Sequence, residues 1–330
     1  MSTGASVNEM KHADAAPIFI VGSPRSGTTL LRFMLTSHSR IYIPDETGFI
    51  PFLRVPVDAP LTPTQVRAVL NRIGRLNRFW QGVVRDVDAF LASLPDLCLS
   101  TILDRLYRMH IGEQDDVRWG DKTPLYVRYI SRLHRLFPRA QFVHAIRDGR
   151  DASLSAMEKW GREKPYLDPY YLLQNWVRNV QAGRASGQRL GSDRYLEVRY
   201  ESLVTEPEET LRKTCAFLNE RFEPRMLDQT GAAMEIGGGI DQHVEVQQLL
   251  TAVHVNRWVT EMSAFEKKLS DYVAGPALAS LGYPPSGLGP FTTTEWLRHG
   301  YLAAKFSLSD ATRTGLYRWG ILTLNRNRRP

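Results

Sequence analysis

The stretch G-S-P-R-S-G-T-T, residues 22–29, has the residue types of an anion cradle. Gly22 and Gly27 let the backbone close around a ligand, and the hydroxyls of Ser26, Thr28 and Thr29 add donors. The pattern nearly matches the nucleotide-binding G-x-x-x-x-G-K-[ST], but Thr28 stands where the lysine belongs. The strongest cation sits inside the loop instead, at Arg25, whose forked guanidinium suits phosphate or sulfate oxygens. Nucleotide triphosphatases and kinases use that lysine and Mg²⁺ to manage charge on the β- and γ-phosphates, so its loss weakens an ATPase or kinase reading. A sulfuryl group carries less charge than a phosphoryl group, and its transfer can dispense with the metal. The bland alternative is a tight turn carrying a solvated arginine.

A second cluster follows in A-I-R-D-G-R-D-A-S-L-S-A-M, residues 145–157. Arg147 ends an apolar run and Ser155 lies eight residues on, so a strand tip and the next helix can present both to a second phosphate. A salt bridge from Arg147 to Asp148 or Asp151 is the structural alternative.

These residues need a scaffold. I-F-I-V-G, 18–22, is a short β-branched and aromatic run ending in glycine, which suits a buried strand, and 27–38 supplies a helix with Leu30, Leu31, Met34 and Leu35 inward. A second strand is expected at 41–44 and a third at 140–148, while 118–138 reads as a loop entering a helix through Thr123-Pro124. Residues 62–110 are helical in pattern, with breaks at Asp88 and Pro95, and 194–218 gives strand, loop and helix again. This alternation implies parallel strands with right-handed crossovers. The fold class is α/β, a P-loop-containing three-layer fold with a central parallel sheet flanked by helices.

Composition sets the outer limits. The 330 residues carry 42 Lys+Arg against 35 Asp+Glu, a net +7 with a pI near 9.4, which suits an anionic ligand or surface without choosing one. The two cysteines, Cys98 and Cys215, have no metal-site spacing and read as buried free thiols in a reducing compartment. Residues 1–16 lack the apolar core of a signal peptide, and no apolar run approaches the ~20 residues that cross a bilayer. A cytoplasmic location is expected.

In its motifs and their order the chain resembles the PAPS-dependent sulfotransferases, a group that includes bacterial carbohydrate-type members and the tyrosylprotein sulfotransferases. The resemblance rests on GSPRSGTT, DETGF, WGDKTP, RDGRDASLS and RYESLVTEPEETLRKTCAFL in that order, and runs from about residue 17 to 283. It implies a 5′-phosphosulfate held by Ser23, Pro24, Arg25, Ser26, Gly27, Thr28 and Thr29, and a 3′-phosphate held by Arg147 and Ser155. It also implies Glu46 as general base and Lys122 as stabiliser of the transferring group and leaving phosphate. Asp45 and Asp121 are fallback bases, and His38, His110, His243 and His254 are histidine alternatives. A departure occurs at Asn256-Arg257-Trp258, where the family has serine or glycine before a basic residue and tryptophan. Arg257 is expected to reach the 3′-phosphate there. Tyr200 and Glu201 read as bracing residues.

The resulting expectation is an enzyme that moves a sulfuryl group from 3′-phosphoadenylyl sulfate (PAPS) to an acceptor hydroxyl, leaving adenosine 3′,5′-bisphosphate (PAP), by in-line displacement without a required metal. The chain divides into a tail at 1–16, a sulfotransferase domain at 17–283 with a helical insert at about 62–110, and an aromatic, basic extension at 284–330. The acceptor is a small molecule, glycan, lipid or peptide, and no nucleic-acid partner is expected. The extension offers peripheral membrane contact, a homodimer contact, or packing on the domain. The alternatives are a P-loop small-molecule kinase, a non-catalytic nucleotide-binding module, or a basic nucleic-acid binder.

Overall fold

The computed structural model describes residues 16–112, 116–164, 166–228 and 254–318. Nearly all of the N-terminal tail, His243 and Trp319 lie outside them. Five strands form one parallel sheet in the order β2-β3-β1-β4-β5, with β1 Ile18–Gly22, β2 Ile41–Tyr42, β3 Arg118–Lys122, β4 Gln141–Ile146 and β5 Tyr195–Arg199. β1 is buried along its whole length, as a central strand covered on both faces must be.

Helix α1, Thr28–Thr36, lies over one face, with Leu30, Leu31, Met34 and Leu35 packed on Ile18, Ile20, Val143 and Val198. Helices α2 Pro63–Leu76, α3 Val87–Ala92, α4 Leu99–His110 and α5 Ile130–Leu136 bury their apolar residues with Phe19, Val21, Trp119 and Phe142 of the other face. α6 Gly149–Trp160 follows β4, and α7 Pro169–Leu190 packs against it through Trp176, whose indole N–H donates to the Arg147 carbonyl at 2.9 Å. After β5 come α8 Tyr200–Thr205 and α9 Pro207–Leu218, then α10 Trp258–Glu261, α11 Ala264–Ser280 and α12 Thr293–Arg318. The sequence places a break at Asp88, but that residue lies in the first turn of α3, whose cap is Asp86.

One element differs from the sequence reading in kind. Residues 118–122, expected as a loop, form the fully buried strand β3 between β2 and β1. R-W-G-D-K has no strand pattern because its polar groups are satisfied individually inside the protein. Arg118 donates to the Leu218 carbonyl at 2.7 Å and to Gln141 Oε1 at 2.5 Å. Gly120 is needed for close approach, since a Cβ there would stand 2.8 Å from the Ile18 carbonyl oxygen and 2.9 Å from the Ile43 side chain. The second strand is also shorter than the expected 41–44.

The topology fixes where a ligand goes. The chain leaves β1 toward β2 on one side of the sheet and leaves β4 toward β5 on the other. Their carboxyl ends therefore open a crevice at the point where the winding reverses, the usual binding position in open α/β sheets. The loop 22–28 and the Arg147–Ser155 segment both start there.

Candidate active site

The loop takes its shape from Gly22, Arg25 and Gly27, all with positive φ. Gly27 at φ 84° caps α1, and a Cβ on it would stand 2.5 Å from the Tyr200 ring, so only glycine fits. Arg25 adopts φ 67°, a conformation that costs a non-glycine residue about 1 kcal/mol or more and persists where surroundings enforce it. Here they do. Its Nε donates to Ser155 Oγ at 3.0 Å, and its carbonyl accepts from Arg147 Nη1 at 3.2 Å.

Arg147 is almost fully buried, lies over the Tyr200 ring at 4.4 Å, and its Nη2 donates to the His254 carbonyl at 2.6 Å. A salt bridge from Arg147 to Asp148 or Asp151 does not form among the described residues. The Asp148 carboxylate is engaged by Arg150 at 2.6 and 2.9 Å, and the Asp151 carboxylate by the backbone N–H groups of Asn256 and Trp258 at 2.7 and 2.8 Å. Two buried atoms here, Arg147 Nε and Ser26 Oγ, have no hydrogen-bond partner. Leaving such groups unmade is costly, and an anion carrying several oxygens answers both. Ser23 Oγ accepts from the fully buried Asn179 at 3.2 Å, which steadies the start of the loop.

On the other side of β1, strand β3 delivers Lys122. Its ammonium donates to Glu46 Oε1 at 2.7 Å and to Thr29 Oγ1 at 3.4 Å. Burial pushes the Lys122 pKa down, and the Glu46 charge opposes that shift. The segment bearing Glu46 is pinned by its neighbours. Asn77 donates to the carbonyls of Glu46 and Thr47 at 3.0 and 3.2 Å. Thr47 Oγ1 donates to Asp121 at 2.5 Å, and Tyr107 and Thr123 donate to the same carboxylate at 2.5 and 2.8 Å. Asp121 is fully buried, which raises its pKa to about 6. With three hydroxyl donors around it, this fallback base is a brace between β3 and the Glu46 segment.

Asp45, His38 and His110 are similarly engaged. Asp45 pairs with Arg32, and Arg32 Nε donates to the Ile43 carbonyl at 2.8 Å. His38 sits between the Arg221 carbonyl and the Arg40 N–H at 2.8 and 3.0 Å. His110 stacks on Trp80 at 4.3 Å, and burial lowers its pKa. Arg257, expected at the 3′-phosphate, pairs with Glu158 and with Glu261, the latter at 2.7 Å. Glu201 accepts from the Asp148 N–H at 2.9 Å and from Tyr283 Oη at 3.0 Å, a bracing position.

Three residues escaped the sequence reading. Arg32 lies one turn beyond Thr28 on α1 and is buried with Nη2 unpartnered; an arginine amid the apolar positions of that helix was the available signal. Asn77 and Asn179 carried no signal, since a single asparagine in a helical region has no distinguishing pattern.

Comparison with known proteins identifies the family. The sequence model of the sulfotransferase family matches residues 17–224. Protein-tyrosine sulfotransferase 1 of Danio rerio is 28% identical over 84% of this chain and 75% of its own length. The human protein-tyrosine sulfotransferase 1 is 29% identical over 83% of this chain and 71% of its own, whereas this chain spans 52% of the Drosophila melanogaster protein-tyrosine sulfotransferase. Among solved structures, the sulfotransferase domain from the curacin biosynthetic pathway aligns with a TM-score of 0.55 at 24% identity, covering 82% of this chain and 98% of that one. The sulfotransferase domain of the Synechococcus PCC 7002 olefin synthase aligns with a TM-score of 0.53 at 22% identity, over 80% and 97%. Those structures share the fold, and the family match extends over more than half of the sequence. A loop shaped for an anion without the kinase lysine, on this sheet and in this sequence context, makes the chain a member of the sulfotransferase family and an enzyme of sulfuryl transfer.

Proposed function

We propose that the chain moves the sulfuryl group of PAPS to a tyrosine hydroxyl of a peptide, with Glu46 as general base, and releases PAP. The observation that carries the mechanism is the line Glu46–Lys122–Thr29, at 2.7 and 3.4 Å, which joins a carboxylate to the anion loop through one buried ammonium. The acceptor class rests on the tyrosine sulfotransferases among its relatives, at 28 and 29% identity.

The acceptor oxygen attacks sulfur as its proton passes to the Glu46 carboxylate. One sulfur–oxygen bond forms while the bond to the 5′-phosphate oxygen breaks, and the electron pair stays on the phosphate. Ser23, Pro24, Ser26, Gly27, Thr28 and Thr29 hold the 5′-phosphosulfate at the positive end of α1. Arg147 and Ser155 hold the 3′-phosphate, with Arg25 reaching between the two groups. When Glu46 takes the proton it releases its hold on Lys122, whose charge then meets the developing phosphate oxygen, alongside Arg25 and the loop N–H groups. Because these groups answer the charge, turnover is expected to persist in a chelator.

The test supplies radiolabelled PAPS to a panel of tyrosine peptides, sugars, lipids and phenolic metabolites, with products read by mass. Sulfated peptide is the expected result, and label on another class alone would replace the acceptor. Glu46→Gln is expected to cut turnover about 10²–10⁴-fold while PAP affinity stays within roughly threefold. Turnover that survives this change removes Glu46 as the base.

A further inference from the structure

Arg32 has no part in the donor contacts, the base or the lysine described above, yet it is placed at a cost to the fold. It lies on α1 one turn after Thr28, among the apolar residues Leu31, Phe33 and Met34, and is 1% exposed. Burying a guanidinium is costly unless partners answer its donors. Here the answer is incomplete. Nη2 has no hydrogen-bond partner, and Asp45, which pairs with Nη1, has a side chain that is 40% exposed. An apolar side chain of similar volume would fill the place at no greater cost, so packing does not account for the arginine.

What Arg32 holds is the chain leading to Glu46. Its Nε donates to the Ile43 carbonyl at 2.8 Å and its Nη1 to the Asp45 carboxylate. Asn77, the residue that ends α2, grips the carbonyls of Glu46 and Thr47 from the other side at 3.0 and 3.2 Å. Glu46 therefore stands between two anchors from separate elements, and meets Lys122 at 2.7 Å. Helix α1 also bears Thr29, three residues before Arg32, whose hydroxyl accepts from Lys122 at 3.4 Å. One helix thus fixes both ends of the Glu46–Lys122–Thr29 line. Such fixing matters, because a displacement of about 1 Å from the working geometry costs on the order of a hundredfold in rate.

The arginine also acts on the lysine through charge. Burial is the main cause that lowers the Lys122 pKa, Glu46 and Asp45 oppose it, and Arg32 adds to the lowering. The other titratable groups facing this cluster are Tyr42 beside Arg32, Asp121 on β3 beside Glu46, and His110 of α4 within reach of Asp45. We propose that Arg32 is a positioning residue for sulfuryl transfer: by holding segment 43–45 it sets the Glu46 carboxylate against Lys122, and its charge adds to the positive potential around that lysine. The inference rests on the reading of Glu46 as the base.

Arg32→Met, Arg32→Lys and Asp45→Asn, assayed for kcat and PAP affinity across pH, test it. Arg32→Met is expected to lower kcat about 10–100-fold while PAP affinity stays within roughly threefold. Activity falls at alkaline pH as Lys122 gives up its proton. Removing a cation that lowers its pKa should therefore move that limb up, by about one pH unit. Arg32→Lys keeps the charge but not the fork, so its limb should stay in place while kcat falls between. Asp45→Asn removes the opposing charge and should move the limb to lower pH. Should Arg32→Met fail to fold, the limbs of the other two variants decide in the same way. A wild-type kcat in Arg32→Met, a kcat loss matched by an equal loss of PAP affinity, or alkaline limbs that coincide in all variants overturns the inference. If Glu46→Gln loses turnover while Arg32→Met behaves as wild type, this inference falls alone; turnover that survives Glu46→Gln removes the base and this inference with it.

Discussion

Arg147→Ala separates a phosphate ligand from a structural brace. In the wild type its guanidinium donates to the carbonyls of Arg25 and His254 at 3.2 and 2.6 Å and lies over the Tyr200 ring at 4.4 Å. Losing these contacts costs about 2–4 kcal/mol of stability, from two charged hydrogen bonds and a cation–π contact, offset by the released cost of burying the charge. Both PAP and AMP will feel any resulting shift of the loop. Only PAP carries the 3′-phosphate. Two charge-assisted bonds to that group are worth about 3–5 kcal/mol, on the order of 10²–10⁴-fold in affinity. Titration calorimetry on the folded variant should therefore find PAP weakened by that factor beyond whatever AMP loses. Arg147→Lys keeps the charge but not the fork and should fall between. Equal losses for the two nucleotides, with a lowered melting temperature, would refute the 3′-phosphate assignment and leave Arg147 as a brace for the Arg25 carbonyl.

Other changes probe the supports. Burial holds the Asp121 pKa near 6 against an ordinary 3.8, so the folded state binds a proton that the unfolded chain has released between those values. That contribution is complete below about pH 4 and is lost as pH rises through about 6, worth about 3 kcal/mol across the window. Urea melts should show wild type losing this much relative to Asp121→Asn; parallel curves would sink the burial account. Gly27→Ala should lower both melting temperature and PAP affinity, because its Cβ would meet the Tyr200 ring at 2.5 Å in a backbone conformation alanine resists. Normal PAP affinity in that variant would mean the loop binds in another shape. Arg257→Ala should change PAP affinity less than about threefold, since its charge is spent on Glu158 and Glu261. A loss approaching that of Arg147→Ala would restore Arg257 to the 3′-phosphate.

Local patterns carried the loop and much of the sheet, because strand β1, the glycine turn and helix α1 each follow from adjacent residues. Strand β3 was hidden for the opposite reason. R-W-G-D-K is buried by partners at 104, 141 and 218, and a strand whose polar groups are satisfied by distant residues shows no alternation. The same distance concealed Asn77, which is separated by 30 residues from the Thr47 carbonyl it holds. Arg257 shows the limit from another side: its partners Glu158 and Glu261 are plain in the sequence, but competition between a carboxylate pair and a phosphate is decided by geometry.

The proposed mechanism assigns the part of the lysine missing from the loop to Lys122 of strand β3. In the register of the sheet Lys122 lies beside Ile20, two residues before the loop begins, so its side chain enters from the neighbouring strand. A lysine at position 28 would hold its charge among the loop phosphates at all times, which suits a triphosphate. Lys122 instead starts in contact with Glu46 at 2.7 Å and only 3.4 Å from Thr29, so its charge is tied to the state of the carboxylate. In the proposed mechanism, proton arrival at Glu46 would weaken that tie at the moment the leaving phosphate gains charge. Lys122→Met should then lower kcat far more than it raises the KM for PAPS, because the lysine matters most after the donor is bound. A rise in KM with kcat intact would make Lys122 a simple donor-binding residue and remove the coupling between base and leaving group.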